Sequence, residues 1–190
     1  RIGVVETDRP YRHEIARVVL ARRQIAMPGD HVERSRGLSR APQVAAELLA
    51  KASIISGLNS TKKGSYPVTV GVGFSSSEVI ISPEPIIYTG FPSPEVLFIT
   101  SQNGLDYAKT SISKMNEDDL IYLDESLKAP ETKAKIITHD FRNKAGGKFA
   151  SIYALLFYIN STDVLPKEAF YDVFTQTMTG SKVDITTLLN

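Results

Sequence analysis

The spacing of apolar positions changes several times along the chain, and each change marks an element. Between Asp8 and Arg23, Ile15, Val18 and Val19 fall at helical spacing among Arg12, Arg17, Arg22 and Arg23. Asp8 is placed to cap such a helix and Pro10 falls in its first turn, so the pattern predicts a basic helix over about 10–23. Met27-Pro28-Gly29-Asp30 then breaks the chain. The stretch 43–56 is rich in Ala and Leu and meets Gly57, which predicts a strong helix closed by a glycine cap. Residues 67–72 and 78–82 carry the β-branched content of strands, and 73–77 between them reads either as a turn or as part of a longer strand.

Prolines 83, 85, 92 and 94 mark a loop-rich connection. Glu-Val-Leu-Phe-Ile-Thr-Ser at 95–101 is a short apolar run of the kind found in parallel strands buried on both faces. Beyond it the pattern predicts a helix over 105–115, strands over 120–123 and 135–138, a helix over 150–159, and a last helix from Pro166 to about 177. Strands and helices alternating at these lengths predict an α/β fold, a layered sheet with flanking helices. The organisation read from the sequence is an N-terminal helical extension (1–30), a single domain (31–180) and a C-terminal tail (181–190).

Composition narrows the function classes. The 190 residues carry a formal net charge of +1, so no strong field directs the chain to nucleic acid or an anionic membrane. There is no cysteine, which excludes disulfides, thiolate metal sites, iron–sulfur ligation and cysteine nucleophiles. The longest apolar run is 153–159, and even the wider stretch 149–159 is well short of the ~20 residues needed to span a bilayer. No secretory pattern is visible, and a cytoplasmic location is the expectation. Asn59-Ser60-Thr61 and Asn160-Ser161-Thr162 match the glycosylation pattern and are read as chance.

Few residues suggest chemistry. Arg34, Arg36 and Arg40 surround Gly37 and Ser39 just ahead of the 43–56 helix. A helix N-terminus favours anions and arginine adds charge-assisted donors, so Arg36, Gly37, Ser39 and Arg40 form a candidate phosphate or carboxylate site. The plainer reading is an exposed basic loop. His13, His31 and His139 lack metal-pair spacing, and His139-Asp140 offers a base with an orienting partner or, more simply, a structural strand end. Ser75, Ser76 and Ser77 have no nucleophile-elbow context and read as a polar turn. The acidic runs at 117–119 and 124–125 read as solvated loops rather than a cation site. Tyr153, Phe157, Tyr158, Phe170, Tyr171 and Phe174 recur at helical spacing, as core residues or as anchors of a subunit interface. No catalytic or metal-binding residue is assigned.

Several segments, in order, resemble the gamma subunit or domain of the 2-oxoacid:ferredoxin oxidoreductases. The helix over 44–58 is similar to that family's first helix, and Ser65-Tyr66-Pro67 to its Ser-Tyr-Gly-Pro segment. Glu-Val-Ile-Ile-Ser-Pro-Glu-Pro-Ile at 78–86 resembles its strand and Glu-Pro-Ile turn. Ser101-Gln102-Asn103-Gly104-Leu105 with Tyr107 resembles a Ser-Gln-Glu-Ala-Leu-x-x-Tyr run, and the stretches 120–126 and 143–154 fit the remaining pattern. The resemblance covers about 32–178. Two departures stand out. The family's glycine-rich opening loop is reduced to Gly37-Leu38-Ser39-Arg40-Ala41, and its Arg-Gly-Gly lines up with Gly71-Val72-Gly73. Glycine permits close backbone approach, so its loss predicts altered contacts there.

The resemblance implies a non-catalytic gamma-type subunit of a complex that oxidatively decarboxylates a 2-oxo acid to an acyl-CoA and passes electrons to ferredoxin or a related acceptor. It implies thiamine diphosphate, iron–sulfur clusters and coenzyme A in the complex, none bound by this chain alone. Its partners would be thiamine-binding and iron–sulfur chains and a ferredoxin-like acceptor. An alternative is a stand-alone anion- or nucleotide-binding or assembly module that has lost the glycine-rich site. A nucleic-acid adaptor using Arg22-Arg23, Arg34, Arg36 and Lys62-Lys63 is disfavoured by the near-neutral balance.

Overall fold

A computed structural model describes residues 16–24, 41–65, 73–87 and 93–178 of the chain. The described elements are β1 (Ala16–Gln24), α1 (Ala41–Ile55), β2 (Asn59–Ser65), β3 (Gly73–Ser82), β4 (Val96–Ile99), α2 (Gln102–Ile112), β5 (Leu120–Asp124), β6 (Lys135–His139), α3 (Phe141–Ser161) and α4 (Lys167–Thr177). The strands form one mixed sheet in the order β2-β3-β1-β4-β5-β6. β1, β4, β5 and β6 run parallel, while β3 is antiparallel to both β1 and β2.

The layered α/β architecture agrees with the pattern read from the sequence, but its N-terminal part does not. Where a basic helix was expected over about 10–23, Ala16–Gln24 is a strand. It pairs with β3 from Ala16↔Ile81 to Gln24↔Gly73 and with β4 from Val18↔Val96 to Ala21↔Ile99. The run Val18-Val19-Leu20-Ala21 fits either period, being too short for periodicity to decide. Pairing with a strand on either side decides it. This stretch therefore lies inside the sheet and not in a helical arm. Residues 1–15 and 25–40 lie outside the described residues.

Two smaller differences have similar causes. Asn59–Ser65 has almost no apolar content, yet it forms β2 beside β3. Its exposed Lys62 and Lys63 suit an outer strand, where charge discourages pairing with foreign chains. The serines at 75–77 belong to β3, which bears out the longer-strand alternative for 73–77 and not the polar turn. The strand read over 67–72 lies outside the described residues.

Alternation along the central strands splits the core into two layers. Val96, Phe98 and Tyr122 face α1, α3 and α4, whereas Leu97, Ile99, Ile121 and Leu123 face α2. Both faces of β4 are covered, which is why its sequence Val-Leu-Phe-Ile is apolar throughout. Burying one such side chain contributes about 1.5–3 kcal/mol. Ser101 caps α2 by accepting the Gly104 N–H at 3.2 Å, and Asp140 caps α3 by accepting the Asn143 N–H at 3.0 Å. α3 starts earlier than the predicted 150–159 because it is two helical pieces joined at Gly146, whose φ of 66° and ψ of 144° are not helical. Such a positive φ is a conformation in which glycine avoids the Cβ clash.

Candidate functional site

The carboxyl ends of β1, β4, β5 and β6 share one edge, because these strands are parallel. From β1 the chain crosses through α1 to β2, on the far side of β3, while from β4 it crosses through α2 to β5. The helices that follow β1 and β4 pack on opposite faces of the sheet. Adjacent parallel strands whose connections diverge in this way create a crevice at their carboxyl ends, where doubly wound folds bind ligands. The segment 25–40 joins the end of β1 to α1. Arg36, Gly37, Ser39 and Arg40 themselves lie outside the described residues, as do His13 and His31.

On the described side of that edge, polar groups are buried and engaged. In the first turn of α1, Gln43 Nε2 donates to the Ser76 carbonyl at 2.9 Å, and Gln43 Oε1 accepts from the Ser77 hydroxyl. Gln43 thus clamps the start of α1 onto β3 and absorbs one of the serines that the sequence offered as a polar turn. At the end of β4, the Thr100 hydroxyl lies 3.5 Å from that of Ser151 on α3, both buried. Nothing in the local sequence of Gln43 or Ser151 signals these pairings, which join residues 33 and 51 positions apart.

The end of β5 is tied to α3. The fully buried Asp124 accepts the Arg142 N–H through Oδ2 at 2.8 Å, and its Oδ1 accepts from the Ser126 N–H and hydroxyl. With Asp140 on the Asn143 N–H, two carboxylates accept N–H groups of the first turn of α3. These acids complement the positive helix end and leave it suited to its own side chains rather than to an external anion.

His139 and Asp140 act separately. His139 Nε2 meets the Tyr153 hydroxyl at 3.1 Å, and its ring stacks on Phe157 at a centroid distance of 4.8 Å with Phe141 beside it. Asp140 instead caps α3 through its bond to the Asn143 N–H. Asp119, from the other acidic run, accepts the Asn116 N–H at 2.6 Å within its own loop. No group of three or more metal-ligating residues occurs among the described residues.

The recurring aromatic residues pack in the core. Phe98 stacks on Tyr122 at 5.1 Å, and Tyr158 meets both edge-on at 5.6 Å. Phe170 and Phe174 are buried, while Phe157 and Tyr171 are half-buried against the same cluster. Burial pushes the Tyr122 phenol above its usual range, partly opposed by a hydrogen bond with Ser161. On the surface, Glu47 bonds Lys51 at 2.7 Å, and this hydrogen bond lowers its carboxyl from the usual range. Ile54 and Ile55, at the end of α1, are 58% and 63% exposed. With Lys51, Val173, Gln176 and Thr177 they line a shallow groove between α1 and α4.

The family model described as "Pyruvate ferredoxin/flavodoxin oxidoreductase" matches residues 42–187. Among solved structures, the gamma subunit of a keto/oxoacid ferredoxin oxidoreductase from Geobacter sulfurreducens shares 20% identity at a TM-score of 0.63, with 92% of this chain and 90% of that chain covered. A pyruvate oxidoreductase subunit, PORC, from Thermotoga maritima shares 13% identity at a TM-score of 0.59, with 92% and 89% covered. A 2-oxoglutarate:ferredoxin oxidoreductase from Magnetococcus marinus, with 2-oxoglutarate, coenzyme A and succinyl-CoA bound, shares 12% at a TM-score of 0.66. There 92% of this chain is covered but only 29% of that longer chain. At these identities the likeness establishes a common fold. None of the curated proteins matches the chain.

Proposed function

Because this chain belongs to the pyruvate ferredoxin/flavodoxin oxidoreductase family, we propose that it is a gamma-type, non-catalytic subunit of a 2-oxoacid oxidoreductase complex. The observation that carries this reading is the family match over 42–187, which takes in every described element from α1 onward except the first residue of α1. The complex would decarboxylate a 2-oxo acid oxidatively to an acyl-CoA and deliver the electrons to ferredoxin or a related acceptor. Thiamine diphosphate and iron–sulfur clusters would reside on other chains. The chain's own residues support that division, since it carries no cysteine for cluster ligation. No described helix is long and apolar enough to cross a membrane, and a cytoplasmic location is part of the proposal.

Within such a complex we assign Arg36, Gly37, Ser39 and Arg40 to contact with an anionic group, either a coenzyme A phosphate or a carboxylate of a neighbouring subunit. Three features support this: the position between β1 and α1, the arginine pair, and the start of α1 next to it.

Affinity purification of the tagged chain from its native host tests the main reading. Co-purification of a thiamine-binding chain and a cysteine-rich chain, with 2-oxo-acid-dependent reduction of an acceptor by the assembly, is the expected result. Recovery of the chain by itself, binding a nucleotide with no companion chains, would overturn the reading in favour of a stand-alone module.

A further inference from the structure

We draw no further inference here: the strongest candidate, the shallow apolar groove between the ends of α1 and α4 lined by Ile54, Ile55 and Val173, is an open face, and nothing in the structure shows what covers it.

Discussion

Asp124 and Arg142 join the end of β5 to the start of α3: the buried carboxylate accepts the arginine's backbone N–H at 2.8 Å. The contact links a strand end to a helix start 18 residues later, and so fixes where α3 lies across the sheet. Replacing Asp124 by Ala leaves that N–H and the Ser126 groups without this acceptor. The expected cost is about 1–3 kcal/mol, and Asp124→Asn, which keeps one carbonyl oxygen, should cost less. Urea denaturation of the two variants checks this. An Ala variant as stable as the parent would show that the contact contributes nothing.

Tyr122 makes stability depend on alkaline pH. Its phenol is raised above the ordinary value by burial, so the folded chain keeps a proton that the unfolded chain gives up at about pH 10. The stabilisation is fully present below the unfolded value and is lost as the pH rises toward the folded one. Melting curves from pH 8 to 11 should therefore fall more steeply for the parent than for Tyr122→Phe. Lysine titration is common to both proteins and cancels in the comparison. Parallel curves would contradict the assignment.

Ser60 lies on β2 with its hydroxyl buried and unpartnered in the structure. A buried donor without an acceptor carries a desolvation cost. Ser60→Ala should be neutral or raise stability by up to about 1 kcal/mol, read as an upward shift of the denaturation midpoint at unchanged slope. A loss above about 1 kcal/mol would mean the hydroxyl has a partner after all.

Gly146 interrupts α3 with a φ of 66°, and a Cβ there would meet nothing within 4 Å. Any penalty for Gly146→Ala thus comes from the backbone and not from crowding. About 1–3 kcal/mol is expected for holding a residue with a side chain in so sparsely populated a conformation. Equal stability of the variant would imply that the kink relaxes into continuous helix, which a crystal structure of the variant would reveal directly.

Arg36→Ala and Arg40→Ala test the proposed anion contact. A charged, partly desolvated contact should cost about 1–3 kcal/mol of binding, roughly five- to 150-fold in affinity. An exposed pair would lose only about 0.2–1 kcal/mol and weaken further with salt. Titrating the assembled complex with coenzyme A, and separately titrating subunit association, distinguishes the two anions. Changes below twofold in both affinities would return the loop to a solvated turn.

The sequence by itself determined the elements whose pattern is long or whose chemistry is local. The Ala- and Leu-rich α1, the doubly buried run of β4, the strand Leu120–Asp124 and the helix after Pro166 were all legible from period and propensity. So was the absence of thiolate chemistry. The ordered series of segments from α1 to α4 also carried the resemblance that the family match upholds. Tertiary structure decided the rest. Ala16–Gln24 looked helical because Ile15, Val18 and Val19 satisfy that spacing, but pairing on both sides with β3 and β4 makes it a strand. Polar Asn59–Ser65 is a strand only because β3 offers it a ladder. Gln43 on Ser76 and Asp124 on Arg142 likewise join positions far apart in the chain. Period and propensity report what a residue's near neighbours favour. Which strand lies alongside, and which buried polar group needs a partner, is set by chain segments that meet only once the fold has formed.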